Sequence, residues 1–249
     1  MNNIALFRES KKRQVEAKKL ARELNLALVS APPYPPYLLV LTEQRLELRQ
    51  TGGHGPGPVF VDFLSDAMSY RMHRAGLKNE AIARAVGLKK TRPTVLDGTA
   101  GLGKDGFILA SMGCRVLLLE RCPVIAALLD DGLSRAAEDP EIGHIIDRMT
   151  LIGTDSRKFH LSPDQRPQVV YLDPMYPHRS KSSLVKKEMR FLRDIVGDDP
   201  DSGELLTWGL SLATKRVVVK RPKLAGHLGP APSLTVKSKK NRFDVYLVS

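Results

Sequence analysis

Residues 94–106 read TVLDGTAGLGKDG: a short apolar run closed by an acid, a loop with glycines at 98, 101 and 103, then a helix-prone start. A strand that runs through a glycine-rich loop into a helix is a ligand-binding turn, and its spacing says what kind. Gly98 and the pair Gly103-Lys104 fall at the G-x-x-x-x-G-K spacing of a phosphate-binding loop. That loop needs Ser or Thr after its lysine to hold magnesium. Here Asp105 stands in that place, and a carboxylate beside phosphates would repel them. A dinucleotide loop spaces its glycines G-x-G-x-x-G, which positions 98, 101 and 103 do not match. What remains is an acid ending the strand, Asp97, followed by Gly101-x-Gly103.

Outward from this turn, strands and helices alternate. CRVLLLE (114–120) reads as a second strand, and PVIAALLDDGLSRAA (123–137) as a second helix with Pro123 in its first turn. MTLIGTD (149–155) and PQVVYLDP (167–174) read as strands three and four. Two helical stretches follow, SLVKKEMRFLRDIVG (183–197) and ELLTWGLSLA (204–213), then a fifth strand, KRVVVKRP (215–222). SLTVKS (233–238) and RFDVYLVS (242–249) close the chain as an antiparallel pair. Strands spaced by helices predict an α/β fold, a mostly parallel doubly wound sheet with an antiparallel C-terminal strand, over residues 61–249. Residues 1–60 predict a small N-terminal α+β lobe. In it a basic helix precedes two short strands, YLLVLT (37–42) and RLELRQ (45–50), and TGGHGPGP (51–58) is the break that follows. Residues 62–90 read as helical.

The chain has 249 residues and a formal net charge of +12, from 39 Lys and Arg against 27 Asp and Glu. So basic a chain commonly meets a polyanion, nucleic acid first among them. Basic residues bunch at Lys11 to Arg22, Arg179 to Arg193, Lys215 to Lys223 and Lys237 to Arg242. No apolar run is long enough to span a bilayer, and the N-terminus lacks the apolar region of a secretory signal, so a cytoplasmic protein with no membrane partner is expected. Cys114 and Cys122 are too far apart for a C-x-x-C motif and have no ligand cluster around them, so reduced thiols and no metal are expected.

In a doubly wound sheet, ligands bind at the carboxyl ends of the strands, where strand order reverses. The arrangement Asp97, Gly101, Gly103 resembles the loop of S-adenosylmethionine-dependent methyltransferases of the Rossmann-like class I fold. That cofactor carries no phosphate. Its ammonium suits a carboxylate, and its adenosine needs the close backbone approach that glycines permit. Glu120 ends the second strand, where an acid accepts both ribose hydroxyls, and Asp155 with Ser156 follows the third, within reach of an adenine amino group. At the end of strand four, Asp173-Pro174-Met175-Tyr176 varies the D-P-P-Y pattern of enzymes that methylate a nitrogen conjugated to a π-system. Such a nitrogen is a poor nucleophile, because its lone pair is delocalised. Asp173, with the Pro174 carbonyl, accepts its N–H groups and holds the lone pair toward the methyl, while Tyr176 stacks on the base.

Longer segments resemble one family, the ribosomal RNA small subunit methyltransferase J group of bacteria. They are GPVFVDFLSDAMSYR, DGTAGLGKDGFILASMGCRVLLLER, VIAALLDDGLSRA, RPQVVYLDPMYPHRSKSSLVKKEMR and ATKRVVVKRP, from about Val59 to the C-terminus. The resemblance implies methyl transfer from S-adenosyl-L-methionine to the exocyclic N2 of one guanine in 16S rRNA, at nucleotide position 1516, with the rRNA or the 30S subunit as partner. It also implies cofactor contacts at Lys104, Asp105, Glu120, Arg121, Asp155, Ser156 and Asp173. Family members often carry Arg where this chain has Lys104, so a bidentate contact there becomes a point charge here. Two hydroxyl residues likewise give way to Asp155-Ser156. The basic residues after the tetrapeptide, Arg179, Lys181, Lys186, Lys187 and Arg190, are expected phosphate contacts. Two readings compete: an amino-methyltransferase acting on DNA or another RNA, and a non-catalytic RNA-binding protein of ribosome assembly.

Overall fold

The computed structural model describes residues 3–52, 57–75, 80–88, 92–175, 195, 202–239 and 241–248. The main sheet is built from β5 (Thr94–Asp97), β6 (Arg115–Glu120), β7 (Met149–Gly153), β8 (Val169–Leu172), β9 (Arg216–Pro222), β10 (Leu234–Lys237) and β11 (Asn241–Leu247), in the order β10-β11-β9-β8-β5-β6-β7. From β9 through β7 neighbouring strands run parallel, and β11 is antiparallel to both its neighbours. The order reverses between β5 and β8, so the ligand crevice lies at their carboxyl ends.

Apolar residues on both faces of each strand mark a sheet covered on both sides. Alternate residues go to alternate cores. Val95, Val116, Leu118, Val169, Tyr171 and Val218 pack toward α4 (Lys104–Ser111) and α5 (Pro123–Ala137). Leu96, Leu119, Val170, Leu172, Val217 and Val219 pack toward a helix at Ser202–Leu212. The spacing of Val124, Ile125, Leu128, Leu129, Leu133 and Ala136 puts one face of α5 into the first core. Fully burying one such leucine stabilises the fold by about 1.5–3 kcal/mol.

The N-terminal region departs from its sequence reading. The opening residues form a strand, β1 (Ile4–Arg8), and helix α1 (Gln14–Glu23) begins only after it. With β2 (Leu28–Val29), β3 (Tyr37–Leu41) and β4 (Leu46–Gln50), β1 makes a four-stranded sheet of order β2-β1-β3-β4. Its parallel pairing with β3 buries Ile4, Ala5 and Leu6, a gain that local helix propensity could not reveal. The stretch 62–90 is helical only at α2 (Asp66–His73) and α3 (Ala81–Ala85) among its described residues. Just before it, Val59 forms an antiparallel bridge with Leu48 of β4. Leu6, Leu39 and Leu48 share one hydrophobic core with Val59, Val61, Phe63, Phe107 and Leu129. No helix among the described residues is long and apolar enough to cross a membrane.

Candidate active site

The turn after β5 is shaped by two residues with left-handed backbone, Gly101 (φ 54°) and Gly103 (φ 72°). A side chain at Gly103 would sit 2.6 Å from Leu129 Cδ1 of α5. At Gly101 a Cβ would meet only the Thr99 carbonyl, at 4.0 Å, so open space faces this backbone. Glu120, at the end of β6, accepts from Gly101 N–H and Cys122 N–H, both at 2.8 Å, and so ties the loop to the next strand end. Ser156 is buried, and its hydroxyl donates to the Gly98 carbonyl.

Asp97, the last residue of β5, is buried and accepts from Thr99 N–H at 3.0 Å. No cation among the described residues makes a hydrogen bond to it. Burial pushes its carboxyl up to about 8, with the Asp105 and Asp173 charges adding to the rise against the Thr99 N–H and Lys220. Thr99 also links two strand ends, because its Oγ1 accepts from Asp173 N–H at 2.6 Å.

The alternation of strand residues places Asp97, Tyr171, Asp173 and Lys220 on the same face of the sheet as the start of α4. Leu172 pairs with Val219, so Asp173 and Lys220 come next on adjacent strands. Lys220 Nζ donates to Asp173 Oδ2 and to Asp105 Oδ2, each at 2.8 Å. Asp105 Oδ2 also accepts from the Tyr171 hydroxyl at 2.7 Å, and Arg71 of α2 approaches its Oδ1 at 2.9 Å. Arg71 in turn holds Glu80 through two hydrogen bonds. Burial alone would raise the Asp105 carboxyl, but the Lys220 and Arg71 charges hold it well below the usual carboxylate range. Burial likewise opposes the Lys220 charge, and the two carboxylates outweigh it, keeping the ammonium well above its ordinary value. At Asp173 burial prevails, and its carboxyl is raised in spite of Lys220.

The structure thus brings Asp97, Asp105 and Asp173 into one polar cluster and sets Gly101 against Glu120. Pro174 is buried directly after Asp173. Lys104, the first residue of α4, is exposed, and Arg121 is half-buried beside Glu120. Asp155 lies apart from the cluster, capping a 3₁₀ turn and gripped by Arg157 at 2.6 and 3.0 Å. Tyr176, Arg179, Lys181, Lys186, Lys187 and Arg190 lie outside the described residues. Sequence reasoning missed Lys220, Arg71, Tyr171 and Thr99. Lys220 was counted in a basic cluster at 215–223, yet its side chain is only 23% exposed and its neighbour Arg221 is buried. The signal was its place in the strand pattern VVVKRP, two residues from Val218 on the same face.

A family model described as "Putative SAM-dependent methyltransferase" matches residues 19–248. Ribosomal RNA small subunit methyltransferase J of Thioalkalivibrio sulfidiphilus is 52% identical over 235 residues, covering 93% of this chain and 92% of its own. The protein of that name from Tolumonas auensis is 48% identical over 252 residues, covering 100% of both. A solved SAM-dependent methyltransferase from Neisseria gonorrhoeae superposes with a TM-score of 0.77 at 37% identity, covering 98% of this chain and 95% of its own.

Proposed function

The chain belongs to the ribosomal RNA small subunit methyltransferase J family, and from that premise we propose that it methylates the exocyclic N2 of a guanine in 16S rRNA, at nucleotide position 1516, with Asp173 presenting the amino group. The observation that carries this reading is the placement of Asp173 at the sheet's reversal point, beside the glycine loop, with its backbone N–H fixed by Thr99 and its side chain 40% exposed. A carboxylate so held is open to a base yet fixed in direction.

The residues present fit S-adenosylmethionine. A buried carboxyl with no bonded cation among the described residues, Asp97, suits an ammonium, and the open space facing Gly101 admits a ligand against backbone. Glu120 with Arg121 would meet the ribose, and Lys104 stands at the helix start beside the loop. Asp155 would meet the adenine, while Ser156 holds the loop through the Gly98 carbonyl. Asp105 supports the site through its bonds to Lys220 and Tyr171. The cofactor supplies a methyl group on a positively charged sulfur, a ready electrophile. Asp173 accepts an N–H of the guanine amino group, turns its lone pair outward and receives the proton that the nitrogen gives up. The Pro174 carbonyl supports the same group. Tyr176 would stack on the base, and Arg179, Lys181, Lys186, Lys187 and Arg190 would meet phosphates.

The test uses tritiated S-adenosylmethionine and 30S subunits from cells lacking this gene, with digestion of the rRNA to nucleosides. Label in N2-methylguanosine at a single 3′-region site is expected, and Asp173→Ala is expected to cut kcat by about 10²–10⁴-fold. Label in another nucleoside, or in DNA alone, would overturn the assignment.

A further inference from the structure

We propose that Lys220 is a positioning residue for the methyl transfer, clamping Oδ2 of Asp173 so that Oδ1 is the atom that faces the guanine amino group. The inference rests on the reading of Asp173 given above. Among the described residues Oδ1 has no partner, whereas Oδ2 accepts from Lys220 at 2.8 Å. With the side chain 40% exposed, Oδ1 is the acceptor left for a base.

The clamp is rigid because its far end is anchored. Lys220 bonds Asp105 at the same 2.8 Å, and Asp105 is itself held by the Tyr171 hydroxyl and the Arg71 guanidinium. Arg71 is braced in turn by Glu80. Helix α2, helix α4 and strands β8 and β9 therefore all converge on the orientation of one carboxylate. A lysine with two carboxylates in hydrogen-bond contact is not a phosphate hook for rRNA, since a hook needs its ammonium free in solvent.

Removing the Lys220 ammonium would leave Asp105 with Arg71 and Tyr171, but would strip Asp173 of its bonded cation. The charged and titratable groups then facing Asp173 are Asp97 from β5, Asp105 from α4, Tyr171 from β8 and Arg221 from β9. Asp105 keeps its negative charge there, and the Arg221 guanidinium donates to the Gly226 carbonyl, so no ammonium among the described residues takes the place of Lys220 on Oδ2. The carboxyl would bind its proton more tightly, and its side chain would be free to turn.

The experiment compares full-length Lys220→Met, Lys220→Arg and Asp173→Asn with the parent on unmethylated 30S subunits across pH. Thermal melting and calorimetric binding of S-adenosylhomocysteine are the readouts independent of turnover. Lys220→Met is expected to lower kcat by about 10²-fold, the size of effect a misplaced catalytic group produces. KM for both substrates should change only a few-fold, and the acid limb of the kcat profile should move to higher pH. Lys220→Arg is expected to restore the acid limb and part of kcat. If Lys220→Met does not fold, Lys220→Gln, which keeps a donor without the charge, carries the same comparison. Parent-like kcat and acid limb in folded Lys220→Met, with Asp173→Asn inactive, would overturn the clamp and leave the Asp173 reading standing. Full activity in Asp173→Asn would overturn both.

Discussion

Asp97 holds its proton more tightly in the native protein than any exposed carboxyl would, and stability must follow. Its ordinary value is 3.8, and in the fold it titrates near 8. Between those values the native state carries a proton that the unfolded chain does not. Stability from this group therefore falls as pH rises from about 4 to about 8, with a slope of up to about 1.4 kcal/mol per pH unit. Asp105 is shifted the other way, and its effect lies below its ordinary value of 3.8, outside this window. Asp97→Asn should reduce the slope of the urea midpoint against pH over the window, leaving the part that the raised Asp173 carboxyl contributes, and an unchanged slope would contradict the burial argument. A ligand ammonium beside Asp97 favours the ionised form of its carboxyl. Binding S-adenosylhomocysteine at pH 7 should thus release a proton, read by calorimetry in buffers of different ionisation enthalpy, and Asp97→Asn should abolish the release.

The loop between β5 and α4 depends on backbone that only glycine adopts cheaply. Gly103 combines a left-handed φ of 72° with the closeness of Leu129 Cδ1. Gly103→Ala would strain the turn and crowd α5 together, and a loss of about 1–3 kcal/mol is expected from urea unfolding. The same change should raise Kd for S-adenosylhomocysteine, because the loop that carries Gly101 would shift. The strand–helix alternation here was legible from sequence: β6 and α5 occupy the stretches that their apolar patterns indicate. Strand β1 was not legible. Its five residues sit beside a basic helical run, and only pairing with β3, some thirty residues away, makes IALFR a strand.

The N-terminal sheet and the main sheet do not have separate interiors. Leu48 of β4, fully buried, belongs to the same apolar core as Phe107 of α4 and Leu129 of α5. Leu48→Ala should cost about 2–5 kcal/mol. The chain's one tryptophan, Trp208, lies in the helix on the opposite face of the main sheet. If the molecule unfolds as one unit, its fluorescence should report the lowered midpoint together with the far-ultraviolet circular dichroism. A Trp208 transition unmoved by Leu48→Ala would show that the two regions unfold independently.

Local order along the chain determined the glycine turn, the acids that end β5 and β6, and the Asp-Pro pair that follows β8. Each is a short-range pattern whose chemistry is written in consecutive residues. Alternation along each strand also determined that Tyr171 and Asp173 share a face, and that Val218 and Lys220 do. Only the tertiary structure decided that these two pairs lie side by side, because the register of β8 against β9 depends on pairing across some fifty residues. It likewise decided that Asp105 faces inward and that Arg71 reaches it from α2. A lysine that composition assigns to a basic surface cluster thus becomes the centre of a half-buried ion network, since burial and charge pairing belong to the packed chain and not to any one stretch of it.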